Sequence, residues 1–463
     1  MAQPDSVKMV EICRVAPKPG SPDSATPDQV SLSLTYFDMV WLRFPPVQRL
    51  YFFELTSSSS TTDSILADLK TSLSLTLQHY APLAGNLTWP QDSQTPILSY
   101  VRGDAVSLTV AESDADNFDH LSSNSVFVES KTYHPLVPKL EASHERVAAI
   151  ALQITLFHGR GFAIGTAMHH AILDGKTSTS FVKSWAHACS SKHAENGSHI
   201  SLLEPLYDRT IIHDPTGLGL ESTFSKEWQN LDGPNNRSVK LWEMEAPPAD
   251  SVRSIFEVTR AKIQTLRKMV LEKVSDSVLL HLSTFCLTCA YTWVCLVKAQ
   301  ELEAEKISIQ IFSVDCRARL DPPIPENYFG NCLRGVLGVA KAKELLAEDG
   351  LVVAVTAISE AIKGLEKNGV LNGIDELFVP RVKHLIQAEG VYSVAGSHRF
   401  QIYDTDFGWG RPKKVEVVSI DRTGAISLSD SKNGGGGVEV GVVLQKDCME
   451  AFASLFAKGF GNQ

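Results

Sequence analysis

Positive charge is in short supply in this 463-residue sequence: 43 Lys and Arg stand against 53 Asp and Glu, for a formal net charge of −10. That balance excludes a nucleic-acid surface, which needs a concentrated basic face. Cysteine is sparse too. The eight residues Cys13, Cys189, Cys286, Cys289, Cys295, Cys316, Cys332 and Cys448 are scattered, without the paired spacings of a disulfide framework or a zinc site. Cys286 and Cys289 form a C-x-x-C inside an apolar helical run with no second pair, so they read as packed thiols and no metal is expected. This usage fits a reducing, cytoplasmic compartment. The first twenty residues contain no apolar stretch of the signal-peptide kind. Residues 277–297 carry no formal charge, but His281, Ser283, Thr284, Thr288 and Thr292 interrupt them. A buried core helix is expected there, with no membrane partner. Phosphate-cradling loops of the G-x-x-x-x-G-K-[ST] type, a G-x-G-x-x-G after a strand, and internal repeats are all absent.

The chain does have an ordinary globular balance, 43% apolar and 21% charged. Its length suits two or three domains. Residues 50–55 read as a buried strand. Residues 61–80 read as a helix capped by Asp63, with Ile65, Leu66, Leu69, Leu73 and Leu77 forming its stripe. Extended runs at 147–157 and 162–168 flank a turn at 158–161, and a helix follows at 175–189. Residues 190–239 are polar and punctuated by Pro and Gly, as in a long connection. Beyond them the pattern restarts. Thr259 is placed to cap a helix with Ile263, Leu266 and Val270 on one face, and the apolar helix comes next. A strand at 307–314, a helical stretch at 340–364 interrupted at Asp349-Gly350, a strand at 438–444 and a helix at 446–458 complete the second half. Strands and helices mix in both halves without strict alternation, so the class is α/β but neither a barrel nor a doubly wound sheet. The division expected is 1–200, a crossover at 201–240, and 241–463.

Two short stretches carry the chemistry. His169-His170-Ala171-Ile172-Leu173-Asp174-Gly175 contains H-x-x-x-D-G where a strand gives way to a helix. A hydroxyl is a poor nucleophile until a base takes its proton, and histidine suits that task near neutral pH. His170 is the candidate base. Asp174 either orients the imidazole, as in a triad, or pairs with an arginine and holds the loop, and the second reading is preferred. His169 is either a second base or a packed neighbour, again with the second preferred. The other stretch, Asp406-Phe407-Gly408-Trp409-Gly410-Arg411-Pro412, combines aromatics with chain breakers. It reads as a structural corner, with Phe407 and Trp409 packing the loop down and Asp406 paired to an arginine.

The two stretches resemble the H-x-x-x-D-G and D-F-G-W-G signatures of the BAHD family, plant acyl-CoA-dependent acyltransferases. Leu34-Thr35-Tyr36-Phe37-Asp38 and Tyr80-Ala81-Pro82-Leu83-Ala84-Gly85 also look like landmarks of that family. Chloramphenicol acetyltransferases and peptide-synthetase condensation domains share H-H-x-x-x-D-G but lack D-F-G-W-G. The resemblance implies two similar-sized domains of mixed sheets flanked by helices, with a solvent channel between them and His170 midway along it. It makes His170 the base, Asp174 the partner of an arginine (Arg317 is the candidate), and Asp406–Gly410 a structural loop.

Asn327-Tyr328-Phe329-Gly330-Asn331-Cys332 is similar to a motif of members that acylate flavonoid, anthocyanin or phenolic glycosides. The run from His169 to Lys176, with Phe181-Val182-Lys183-Ser184-Trp185, looks like the phenolic glucoside malonyltransferases. The donor implied is malonyl-CoA, a co-substrate rather than a bound cofactor, with hydroxycinnamoyl-CoA as the alternative. The acceptor is a glucose 6-hydroxyl, and the protein is expected to act as a monomer. A non-catalytic binder of acyl-CoA or glycoside is the rival of another class. Coenzyme A is anionic, so an acidic protein needs a local cationic site. Thr259, Arg260 and Lys262 at a helix N-terminus fit that need. A malonyl carboxylate would also need a cation near His170, for which Lys176, Arg160 and Arg43 are candidates.

Overall fold

A computed structural model describes residues 7–19, 27–55, 61–124, 127–191, 204–215, 217–274, 280–376 and 388–460. Three sheets organise them. A six-stranded sheet runs in the order Val7–Val15, Val106–Ser113, Ile150–Phe157, Gly161–Met168, Val47–Glu54, Lys414–Val417. A seven-stranded sheet runs Leu333–Lys341, Ile307–Asp315, Val391–Gly396, Ile426–Asp430, Val438–Gln445, Ser251–Val258, Val128–Glu129. A four-stranded sheet of Gln29–Ser33, Ile97–Val101, Asn86–Thr88 and Arg146–Ala148 lies in the first half.

Burial explains the central strands. Ile150–Phe157 and Gly161–Met168 are buried at every position, as apolar runs covered on both faces must be. Arg160 immediately precedes the second of these strands, and His169 follows its far end. Helices Thr62–His79 and Gly175–Ser190 pack in the core of this half. A second core surrounds helix Thr284–Ala299, which is buried along nearly its whole length. No helix among the described residues is long and apolar enough to cross a membrane.

The halves exchange strands. Lys414–Val417, late in the sequence, pairs with Val47–Glu54. Val128–Glu129, early in the sequence, pairs with Ser251–Val258. Buried charge bridges the same seam. Lys414 Nζ lies 3.0 Å from Glu416 Oε1 and donates to the Tyr133 hydroxyl at 2.9 Å. Arg253 Nη2 donates to the carbonyls of Val417 and Val418 at 3.1 and 3.2 Å.

Several sequence expectations are corrected. The helix expected at 61–80 is capped by Thr61, whose hydroxyl accepts from the Ser64 amide; Asp63 lies within its first turn. The apolar helix begins at Thr284 behind a Ser283 cap, because the serine hydroxyl captures the Cys286 amide; residues 277–279 of the expected span lie outside the described residues. The first two residues of the helical stretch expected at 340–364 are the end of strand Leu333–Lys341; short helix Ala342–Leu346 and then Gly350–Asn368 follow. The crossover is not merely a connection. It carries helix Leu220–Asn230, which buries Leu220, Phe224 and Trp228 on one stripe. The expected boundary at residue 200 lies outside the described residues.

Candidate active site

Strand Gly161–Met168 ends where its register opposite Val47–Glu54 ends, and the next two residues are His169 and His170. Four residues further on, Asp174 caps helix Gly175–Ser190. Its Oδ1 accepts from the Thr177 amide at 2.8 Å. Its Oδ2 lies 2.7 Å from Arg317 Nη1 and accepts from the Cys332 amide at 3.4 Å. Both oxygens are therefore committed, and both ion-pair partners are buried. Arg317 Nη2 also donates to the carbonyls of Gly330 and Tyr328, at 3.0 and 3.3 Å. The pair thus fastens the loop of one half to residues of the other. Gly175 is needed for space, since a Cβ there would come within 2.6 Å of the Phe400 ring.

His170 lies flat on Trp41, with ring centroids 4.0 Å apart and planes 11° apart, and Phe44 meets it edge-on at 5.6 Å. Its backbone carbonyl accepts from Asn331 Nδ2 at 2.9 Å. Asn331 is held in turn by Asp38, whose Oδ1 accepts from the Asn331 amide and side chain at 2.8 and 3.0 Å. Asp38 Oδ2 accepts from the amide and hydroxyl of Thr35. Three separate motifs, Leu34–Asp38, His169–Gly175 and Tyr328–Cys332, meet here through these contacts.

Burial pushes the His170 imidazolium down to a pKa of about 4, with its own backbone carbonyl, Asp174 and Asn331 partly opposing the shift. His169 is pushed to about 3 by burial and by the adjacent His170. Both rings are neutral at pH 7. His169 is fully buried and its Nδ1 accepts from the Ala171 amide at 3.1 Å, so it is a packed element of the loop.

The Asp406–Gly410 loop is of a different kind. Asp406 Oδ1 accepts from the amides of Gly408 and Gly410 at 2.7 and 3.0 Å. The arginine partner expected for Asp406 is a correction, because Arg411 pairs instead with Asp404 at 2.8 Å. Gly408 and Gly410 have φ of +107° and +95°, values open to glycine and strained for other residues. Phe407 is buried edge-on against Trp185 and Phe53, and Trp409 is edge-on to Phe162.

The proposed cation sites fare unevenly. Thr259 caps helix Arg260–Lys273, its hydroxyl accepting from the Lys262 amide at 3.3 Å. Lys262 Nζ donates to the Glu257 carbonyl and lies 4.9 Å from the centre of the Phe460 ring, while Arg260 is exposed. Arg160 is excluded from the His170 neighbourhood. It sits at the opposite end of an eight-residue strand, roughly 26 Å away at ~3.3 Å per residue, and pairs with Asp119. Arg43 is buried with its Nε on the Ser238 carbonyl and its guanidinium over Trp228. Lys176 lies 3.5 Å from Glu326 and 3.8 Å from Asp315. Sequence reasoning missed Trp41 and Phe44, which belong to no signature. It also gave no role to Asn331, whose only signal was its place in the Tyr328–Cys332 motif.

A model described as the Transferase family matches residues 19–458. Phenolic glucoside malonyltransferase 1 of Arabidopsis thaliana is 39% identical, covering 99% of this chain and 98% of its own. From the same plant, malonyl-CoA:anthocyanidin 5-O-glucoside-6''-O-malonyltransferase is 40% identical over 98% of each chain, and agmatine coumaroyltransferase 37% over 99% and 100%. The crystal structure of vinorine synthase superposes with a TM-score of 0.69 at 20% identity over 98% of this chain and 100% of its own, a likeness of fold.

Proposed function

This chain belongs to the Transferase family, the BAHD acyl-CoA-dependent acyltransferases, and we propose that it moves a malonyl group from malonyl-CoA to a glucose 6-hydroxyl of a phenolic or flavonoid glucoside. The observation that carries the substrate reading is the full-length likeness, at 39% and 40% identity, to enzymes named for malonyl transfer to such glucosides.

His170 is the general base of this reading. Its ring is neutral, as a base must be to accept a proton. Nδ1 is buried with no hydrogen-bond partner among the described residues, and the residue's own backbone favours the charged ring. The reading requires the proton on Nδ1 and the lone pair on Nε2. Nε2 takes the hydroxyl proton as the sugar oxygen attacks the thioester carbonyl. The tetrahedral intermediate collapses, and the imidazolium returns the proton to the departing thiolate. No covalent enzyme intermediate and no bound cofactor are needed.

Asp174 takes no part in the proton transfer, since its oxygens are committed to Arg317, Thr177 and Cys332. It fixes the loop, as a support for a catalytic residue should. Coenzyme A is assigned to the Thr259–Lys262 helix start, and the two substrates to a channel between the halves. The scattered thiols fit a reducing, cytoplasmic compartment.

The test offers malonyl-, acetyl- and coumaroyl-CoA with several phenolic glucosides and with agmatine, reading product masses. Addition of a malonyl mass to a glucoside is the expected result. Coumaroyl transfer alone would replace the donor, and coumaroyl-agmatine as sole product would replace the acceptor as well.

A further inference from the structure

Among the described residues, no carboxylate forms an ion pair with the His170 ring. Asp174 favours the charged ring through space, but its oxygens are held by Arg317, Thr177 and Cys332. His169 sits next to it as a neutral, buried ring. What touches the imidazole is aromatic. Trp41 covers one face, with centroids 4.0 Å apart and planes 11° apart. Phe44 stands nearly perpendicular to both rings, 5.3 Å from the indole and 5.6 Å from the imidazole.

The stack is set from one reference point. Short helix Tyr36–Met39 is closed at its start by Thr35 and Asp38, and the Trp41 amide donates to the Asp38 carbonyl at 3.0 Å. The Asp38 carboxylate holds Asn331, which donates to the His170 carbonyl. Indole and imidazole are thus both positioned from Asp38, one through its backbone and the other through its side chain. Phe44 is tied in as well, its amide donating to the Trp41 carbonyl at 3.0 Å. Trp41 Nε1 is buried without a hydrogen-bond partner among the described residues. The indole is therefore held by its ring contacts, and it meets His170 with its face.

A neutral imidazole on an indole gains dispersion alone. A protonated one gains in addition the attraction of a cation to the negative π face, strongest for tryptophan and larger where water is excluded. His170 passes between these two states in the reaction. One positive charge appears on the ring as Nε2 takes the hydroxyl proton, and it leaves when that proton passes to the thiolate. A contact strengthened only in the charged state lowers the barrier instead of merely tightening the resting site. A stack also occupies the face of the ring and not its in-plane lone pair. We propose that Trp41 is a positioning residue that holds the His170 imidazole by its face and stabilises the imidazolium formed as the acceptor hydroxyl is deprotonated, the part a carboxylate plays in a triad. The proposal rests on His170 being the base and not on the identity of the acyl donor.

The test replaces Trp41 site-specifically by mono-, di- and trifluorinated tryptophans, which withdraw charge from the π face with almost no change of shape. Single-turnover rates are measured with malonyl-CoA and a phenolic glucoside, or with the pair that the wild type is found to use. The rate should fall with each fluorine, by roughly 10-fold across the series, the order of a desolvated cation–π contact. Trp41→Phe, which keeps a π face, should retain more of the rate than Trp41→Leu. A second reading needs no substrate: NMR titration of the His170 imidazole in the full chain, its signal identified by its loss in His170→Ala. The face favours the charged ring, so weakening the face lowers the pKa. The midpoint should therefore move down with each fluorine from its wild-type value of about 4. A rate series or a midpoint that ignores fluorination would overturn the proposal; with His170→Ala inactive, the base assignment would still stand. Near-normal turnover by His170→Ala would remove the base and the role of Trp41 with it.

Discussion

The two signature stretches look alike in sequence, each with an aspartate within two residues of a glycine, yet they are held in place in opposite ways. His169–Gly175 is fastened from a distance: Arg317 and Cys332 reach Asp174, Asn331 holds the His170 carbonyl, and Trp41 stacks on its ring. Asp406–Gly410 is fastened by itself, with Asp406 capping two amides of its own loop and the aromatic rings pinning it to the first core. Buried long-range ties can fix a reacting group to within fractions of an ångström. A self-capped exposed turn shapes the backbone but places no group on a substrate. The difference supports the proposal that the chemistry lies at the first stretch and that the second is architectural.

The largest effect that can break this comparison is on rate. His170→Ala is expected to lower kcat by about 10³-fold with unchanged circular dichroism and melting. Near-normal turnover by the folded variant would remove the base. The wild-type pH profile sharpens the point. The active form is neutral, so activity is lost as pH falls through the folded pKa. With that value near 4, kcat/KM should stay level from neutral pH well below the usual histidine value of 6.5. A midpoint at 6.5 would mean that the working ring is solvated. The same depression in His169 and His170 makes the unfolded chain bind more protons, so both residues should cost stability as pH drops from 6.5 towards 4.

Next comes Asp174→Asn, which leaves Arg317 buried with only the more exposed Asp315 at 3.2 Å. A stability loss of about 3 kcal/mol is expected by denaturant titration, together with a lower rate. A rate loss at unchanged stability would instead favour an imidazole-orienting aspartate. The smallest effect is expected from Asp406→Ala. Removing two hydrogen bonds in an exposed loop should cost about 1 kcal/mol, with turnover per folded molecule close to that of the wild type. A rate loss comparable to that of His170→Ala would dissolve the contrast between the two stretches.

Much of the scaffold was legible in the residues. The strands around His158–Gly161 and the helix after Gly175 follow from periodicity, and helix Lys446–Lys458 was read at its observed ends. The errors have local causes. A serine or threonine hydroxyl competes for the first free amides of a helix, which is why Thr61 rather than Asp63 is the cap and why the apolar helix starts at Thr284. The strand Leu333–Lys341 was missed because its partner Ile307–Asp315, not its own pattern, makes it a strand.

What could be read from the sequence by itself was the family, through its resemblance, the two halves, and His170, Asp174 and Arg317 as candidates, because short motifs along a chain record the chemistry they carry. Only the tertiary structure decided which groups share a site. The stacking of Trp41 on His170 and the tie from Asp38 through Asn331 depend on distant segments of the chain being brought together. Arg160 and Trp41 show the reason. The first is ten residues from His170 in sequence and a full strand length away in space; the second is over a hundred residues away and stacks on its ring.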